Sequence, residues 1–107
     1  MSTIPKNAIS QISHIVTEAE FQSTVIEAAE LLGWWVFHDH DSRRNKAGFP
    51  DLLMVRGTEL IFAELKREKG KPTKTQEEII ESLSNIETVE SHLWRPSNWA
   101  EIMGRLR

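Results

Sequence analysis

The chain has 107 residues, 39% of them hydrophobic, no cysteine and a formal net charge of −3. That length supports one modest core and leaves little room for a second domain. The missing cysteine excludes disulfides, thiolate metal sites and cysteine nucleophiles, and the net charge argues against a general polyanion binder.

Residues 1–16 read as a weakly patterned leader ahead of a single domain over 17–107. The opening MSTIPKNAISQISHIV lacks the apolar core and small-residue cleavage pattern of an export signal. No run approaches the ~18 apolar residues of a membrane span, so export and insertion are disfavoured. Thr17 followed by Glu20 forms a capping box that opens a helix over Glu18–Leu32. Phe21, Val25, Ala28 and Leu32 make its buried stripe, and Gly33 stops it.

Trp34 to His38, WWVFH, then predicts a buried strand that runs into the polar loop HDSRRNKAG. His38 and His40, with Asp39 and Asp41, have the residue types of a metal site. Two histidines do not complete a coordination shell, however, and a strand end entering a polar loop explains them more simply. The four tryptophans, Trp34, Trp35, Trp94 and Trp99, lie in or beside apolar segments, which favours packing over base stacking.

The stretch GFPDLLMVRGTELIFAELK, Gly48 to Lys66, reads as a hairpin. Two apolar runs, Leu52 to Val55 and Leu60 to Leu65, flank Gly57-Thr58, and glycine at the first central position suits a type II′ turn. With Arg56 paired to Glu59, the register carries Asp51 opposite Glu64. Alternation places Leu60, Phe62, Glu64 and Lys66 on one face and Ile61, Ala63 and Leu65 on the other. Two carboxylates so placed repel each other. A hard divalent cation between them removes the conflict, and a polar strand end whose acids fan into water is the plainer alternative. Spacing alone leaves the two open.

Gly70 and Pro72 end the hairpin. Thr75 with Glu78 reads as a second capping box, and Ile79, Ile80, Leu83 and Ile86 mark a second helix. Val89 to Trp94 is a short strand stopped by Pro96, and Ser97 or Asn98 caps a last helix carrying Trp99, Ile102, Met103 and Leu106. The order α-β-β-β-α-β-α predicts an α/β fold, a mixed sheet flanked by helices.

Charge is unevenly spread along this chain. From Asp41 to Lys74 there are nine Lys or Arg against five acids, a surplus of +4 that leaves −7 for the rest. Lys66 to Lys74, KREKGKPTK, is the densest part, and a basic rim beside an acidic pocket suits a phosphate backbone. The candidate DNA contacts are Arg43, Arg44 and Lys46 in the polar loop, and Lys69, Lys71 and Lys74 after the hairpin. A solvated loop is the alternative for the second group. No nucleophile elbow, ordered Ser-His-Asp triad or phosphate-binding glycine loop occurs.

Pro50-Asp51, Glu64-Leu65-Lys66 on the adjoining strand, an acid on the preceding helix and a following helix that starts near Gln76 together resemble the PD-(D/E)XK nuclease superfamily. The details GFPD, ELK and TKTQ are similar to its VRR-NUC branch, found in phage proteins and in the Fanconi-anaemia-associated nuclease. The resemblance covers the chain from about Thr17 to its end and implies a restriction-endonuclease-like fold and a phosphodiester hydrolase. By it, Asp51, Glu64 and the backbone carbonyl of Leu65 bind Mg²⁺ or Mn²⁺. Lys66 orients or activates the attacking water, and Gln76 holds Lys66 or the DNA backbone. Glu18, Glu20 and Glu27 are all candidates for the helix acid. Glu20 has a capping role and Glu27 falls off the face shared by Glu18 and Gln22, and the branch pattern of an acid four residues before a glutamine also selects Glu18 with Gln22.

Stand-alone members of the branch resemble Holliday-junction resolvases, which implies a homodimeric endonuclease that cuts branched DNA and leaves 5′-phosphate ends, in a bacterial or phage-infected cytoplasm. Linear duplex, single-stranded or flap DNA are alternative targets. A catalytically idle module that docks DNA or a partner is the alternative of a different class.

Overall fold

The structure is a computed structural model that describes residues 12–38 and 46–107. Among them the element order is α1 (Glu18–Leu31), β1 (Trp35–His38), β2 (Leu52–Arg56), β3 (Glu59–Leu65), α2 (Lys74–Ser84), β4 (Glu90–Trp94) and α3 (Trp99–Leu106), with short 3₁₀ turns at Ser13–Ile15 and Pro96–Asn98. This is the α/β order expected from the sequence. One sheet carries the strands in the order β1-β2-β3-β4. The first three form an antiparallel meander, and β4 returns parallel to β3 after crossing through α2.

The hairpin register is the expected one, Arg56 against Glu59 through Leu52 against Ala63. Gly57 has φ +59° while Thr58 stays at negative φ, the pattern a II′ turn needs and a I′ turn does not. Strand alternation then sets the core. Leu52, Met54, Ile61, Ala63, Leu65 and Trp94 are buried on one sheet face, together with Phe21, Val25, Ala28 and Ala29 of α1 and Trp99, Ile102 and Leu106 of α3. Val16 is buried in the same core and Ile12 packs against it, so the end of the leader joins the fold. Ser91, which alternates with the buried Trp94 across the sheet, donates its hydroxyl to the Ile80 carbonyl at 2.7 Å, so α2 covers the opposite face.

Helix α1 begins as expected, with Thr17 and Glu20 exchanging capping-box bonds at 3.0 and 3.1 Å, and Gly33 takes φ +91° at its end. Leu32 caps the helix half-buried, and Thr24 and Ala29 complete the buried stripe. Helix α2 starts earlier than expected. The working box is Thr73 with Gln76, at 2.8 and 3.1 Å, and not Thr75 with Glu78. Thr75 instead turns its methyl toward Gly48. Ile86 lies beyond the end of α2 and is exposed.

The expected buried strand WWVFH is corrected in part. Trp34 is buried but precedes β1, whereas Trp35 is 61% and Phe37 44% exposed, with their rings stacked at 6.5 Å. The cause is topological: β1 is an edge strand, and α2 lies over β3 and β4 on the far side of the sheet.

Arg56 ties the far end of the molecule together. Its guanidinium donates to the carbonyls of Leu32 (3.1 Å), Leu106 (2.6 Å) and Arg107 (3.0 Å) and lies 4.4 Å over the Trp34 ring. The Trp34 indole N–H donates to the same Leu106 carbonyl at 2.9 Å. Arg105 pairs with Glu90 and Glu59 beside it, and its hydrogen bonds to Glu90 hold that carboxyl down at about 2.

Candidate active site

Gly48 is pressed onto the first turns of α2. A Cβ on Gly48, whose φ is +88°, would lie 2.6 Å from Thr75 Cγ2 and 3.1 Å from Ile79 Cγ1. Only glycine satisfies both that backbone conformation and that close approach. Phe49 sets its ring edge-on to Phe62 of β3 at 6.3 Å, and Pro50 is buried. The loop therefore delivers Asp51 to a fixed place, one residue before β2 begins.

There the Asp51 carboxylate accepts the Leu65 backbone N–H at 2.8 Å through Oδ2. This bond ties the end of the GFPD segment to the end of β3, one residue past the last ladder pair. Glu64, on the other side of that peptide, is 1% exposed, and neither of its carboxylate oxygens has a hydrogen-bond donor. Burial first, and the adjacent Asp51 charge second, push its carboxyl up to about 8, against the opposing pull of Lys66. A buried carboxylate without donors is costly to keep ionised, a cost that protonation or a bound cation would offset.

Lys66 lies between Glu64 and Glu18. Its ammonium is 3.8 Å from Glu64 Oε2 and 3.9 Å from Glu18 Oε1, with the side chain 14% exposed. These are ion pairs longer than hydrogen bonds. Glu18 is half-exposed, and partial burial raises its carboxyl, with Lys66 pulling the other way. The structure thus brings Glu18, Asp51, Glu64 and Lys66 together, from α1, the GFPD loop and the end of β3. Glu20 stays in the α1 cap.

The two carboxylates, Asp51 and Glu64, supply the hard oxygen donors that Mg²⁺ or Mn²⁺ takes. Among the described residues, no three His, Asp or Glu side chains gather into a metal cluster. The set expected from the sequence is two carboxylates and the Leu65 carbonyl, which needs no third side chain. Leu65 itself ends β3 with its side chain in the core. Gln76 is occupied at the start of α2, its side-chain oxygen accepting the Thr73 N–H. It makes no hydrogen bond to Lys66.

Lys46, Lys69, Lys71 and Lys74 are all exposed. Arg43 and Arg44, together with His40, Asp39 and Asp41, lie outside the described residues.

Two supporting contacts have no signature in the sequence. The Lys66 N–H donates to the Trp94 carbonyl at 3.1 Å, and Arg95 reaches the loop after Lys66. Their partners are about 30 residues apart along the chain, so no local spacing announces them.

No family model matches the chain, and no curated protein matches it. A solved structure described as a VRR_NUC domain superimposes with a TM-score of 0.65 at 25% identity, over 83% of this chain and 97% of that one. The chain has the VRR-NUC fold. Within the VRR-NUC fold seen here, the acids and the lysine sit where the meander, the GFPD loop and the start of α1 converge. No helix among the described residues is long and apolar enough to cross a membrane.

Proposed function

We propose that the chain is a divalent-metal-dependent endonuclease that hydrolyses phosphodiester bonds in DNA, selects branched DNA and works as a homodimer in a bacterial or phage-infected cytoplasm. The observation that carries this reading is the buried, donor-free Glu64 carboxylate beside Asp51 and beneath Lys66. An idle binding module has no use for so costly a group.

Asp51, Glu64 and the Leu65 carbonyl would hold Mg²⁺ or Mn²⁺, which supplies Lewis-acid polarisation of the scissile phosphate and makes a water more acidic. The protein's own residues perform the rest. Asp51 is fixed by the Leu65 N–H, so its carboxylate needs no reordering on binding. The Lys66 ammonium, held between Glu64 and Glu18, meets charge that builds on the phosphate as water attacks phosphorus and the leaving oxygen departs. Gln76 steadies the start of α2 through its bond to the Thr73 N–H, and in this reading it would meet the DNA backbone together with Lys69, Lys71 and Lys74. Phosphate contacts of that kind orient a duplex without reading its sequence. A twofold pair of such sites would present two cuts to a roughly symmetric junction.

The test is cleavage of a labelled four-way junction beside linear duplex of the same sequence, with Mg²⁺, Mn²⁺ or chelator. Wild type should cut the junction in pairs and lose activity with chelator. Asp51→Asn, Glu64→Gln and Lys66→Ala should each lose roughly a thousandfold or more while staying folded. Equal cutting of both substrates would remove the branched-DNA preference. Binding without any cutting would replace the enzyme by a docking module, and a monomer by sedimentation would remove the paired cuts.

A further inference from the structure

Arg95 follows β4 directly, and its own backbone is pinned because its N–H donates to Asn98 Oδ1 at 2.8 Å. From there one guanidinium nitrogen, Nη1, donates to three carbonyls: Arg67 at 2.8 Å, Glu68 at 3.0 Å and Gly70 at 2.7 Å. That nitrogen carries two hydrogens, so the three oxygens share them. The turn is closed on itself by the Gly70 N–H donating to the Arg67 carbonyl at 3.0 Å, and fastened again where Glu68 Oε1 accepts the Ser97 N–H at 3.0 Å.

The consequence concerns the side chains. With its carbonyls turned in toward Arg95, the segment leaves Arg67 and Lys69 exposed, with Lys71 just beyond, immediately after Lys66. A glycine-containing, lysine-rich loop without such a tie would be ordered only on meeting its ligand, and that ordering weakens binding.

We propose that Arg95 is a positioning residue, holding the loop Arg67–Gly70 in the conformation that presents Arg67, Lys69 and Lys71 to the DNA backbone, without touching the DNA itself. The assignment of this loop to DNA rests on the endonuclease reading above. Arg95 acts on binding and leaves the chemistry to Asp51, Glu64 and Lys66, because the Lys66 backbone is held separately by the Trp94 carbonyl.

Two readouts on the full chain test this, with Arg95→Met removing the donors and Arg95→Lys restoring three N–H groups on a shorter arm. The first is amide hydrogen exchange without DNA. In Arg95→Met the Gly70 amide, whose N–H is bonded to the Arg67 carbonyl within the turn, should exchange at least about tenfold faster while those of α1 and β2 hold. The second is steady-state cleavage. KM should rise roughly tenfold in Arg95→Met with kcat within about twofold, and Arg95→Lys should recover most of the loss.

Unchanged exchange at Gly70 would overturn the proposal. So would a fall in kcat at constant KM, which is the mark of a smaller folded fraction. If wild type cuts no DNA, the endonuclease reading fails by itself, and the exchange comparison still decides whether Arg95 fixes the loop.

Discussion

Glu64 is a carboxylic acid held in the core, only 1% exposed. Its carboxyl is pushed from an ordinary 4.5 up to about 8, by burial first and by Asp51 next. Between those values the folded chain retains a proton that the unfolded chain has released. The contribution of this group to the stability of the metal-free protein therefore falls as pH rises through that window. Denaturant unfolding in chelator from about pH 5 to about pH 8 should show this decline, and Glu64→Gln should flatten it. Matching slopes in the two proteins would sink the buried-proton account. At Asp51 the choice of variant matters: Asn keeps an acceptor for the Leu65 N–H, whereas Ala leaves that donor without its partner. Asp51→Asn should accordingly be at least as stable as wild type without metal.

At the scale of elements, the site depends on how a loop lies against a helix. Gly48 is where the GFPD segment crosses Thr75 and Ile79, and its φ of +88° would strain any side chain. Gly48→Ala should cost about 2–3 kcal/mol in denaturant unfolding, from backbone strain and the clash together. It should also lower cleavage by displacing Asp51, although Gly48 lies outside the reacting groups. Activity close to wild type in a destabilised Gly48→Ala protein would show that Asp51 does not depend on this crossing. The same contact explains why Thr75 does not cap α2. TKTQEE contains two overlapping boxes, and packing of the Thr75 methyl against the loop leaves Thr73, just after Pro72, to take the cap.

Across the whole molecule, Arg56 joins the end of α1, the hairpin turn and the end of α3. Arg56→Leu removes the donors for the Leu32 and Leu106 carbonyls and the cation over Trp34, and should cost about 2–3 kcal/mol by chemical denaturation. Because Arg56 lies at the turn end of the hairpin and Asp51 at the other, cleavage per folded molecule should stay near wild type. A matching loss of specific activity would reveal coupling along β2. The sheet is also covered unequally. Helices α1 and α3 bury one face, while α2 sits over β3 and β4, which leaves Trp35 and Phe37 exposed on the edge strand.

Much of the fold was legible because its signals are short. The Thr17–Glu20 box, the Gly57-Thr58 turn, the hairpin register and the alternation of β2 and β3 each depend on residues a few positions apart. Asp51, Glu64 and Lys66 followed from that register, since a hairpin converts spacing along the chain into proximity. Glu18 needed the resemblance, because the docking of α1 is not written in its own periodicity. Three features required the tertiary structure: the exposure of Trp35, which depends on where α2 lands; the choice of Thr73 over Thr75, which depends on a loop that packs there; and the arginine clamps. Arg56 and Arg95 bind carbonyls about 25 to 50 residues away. A backbone carbonyl carries no residue identity, so these contacts exist only once the packed chain has turned those oxygens toward them.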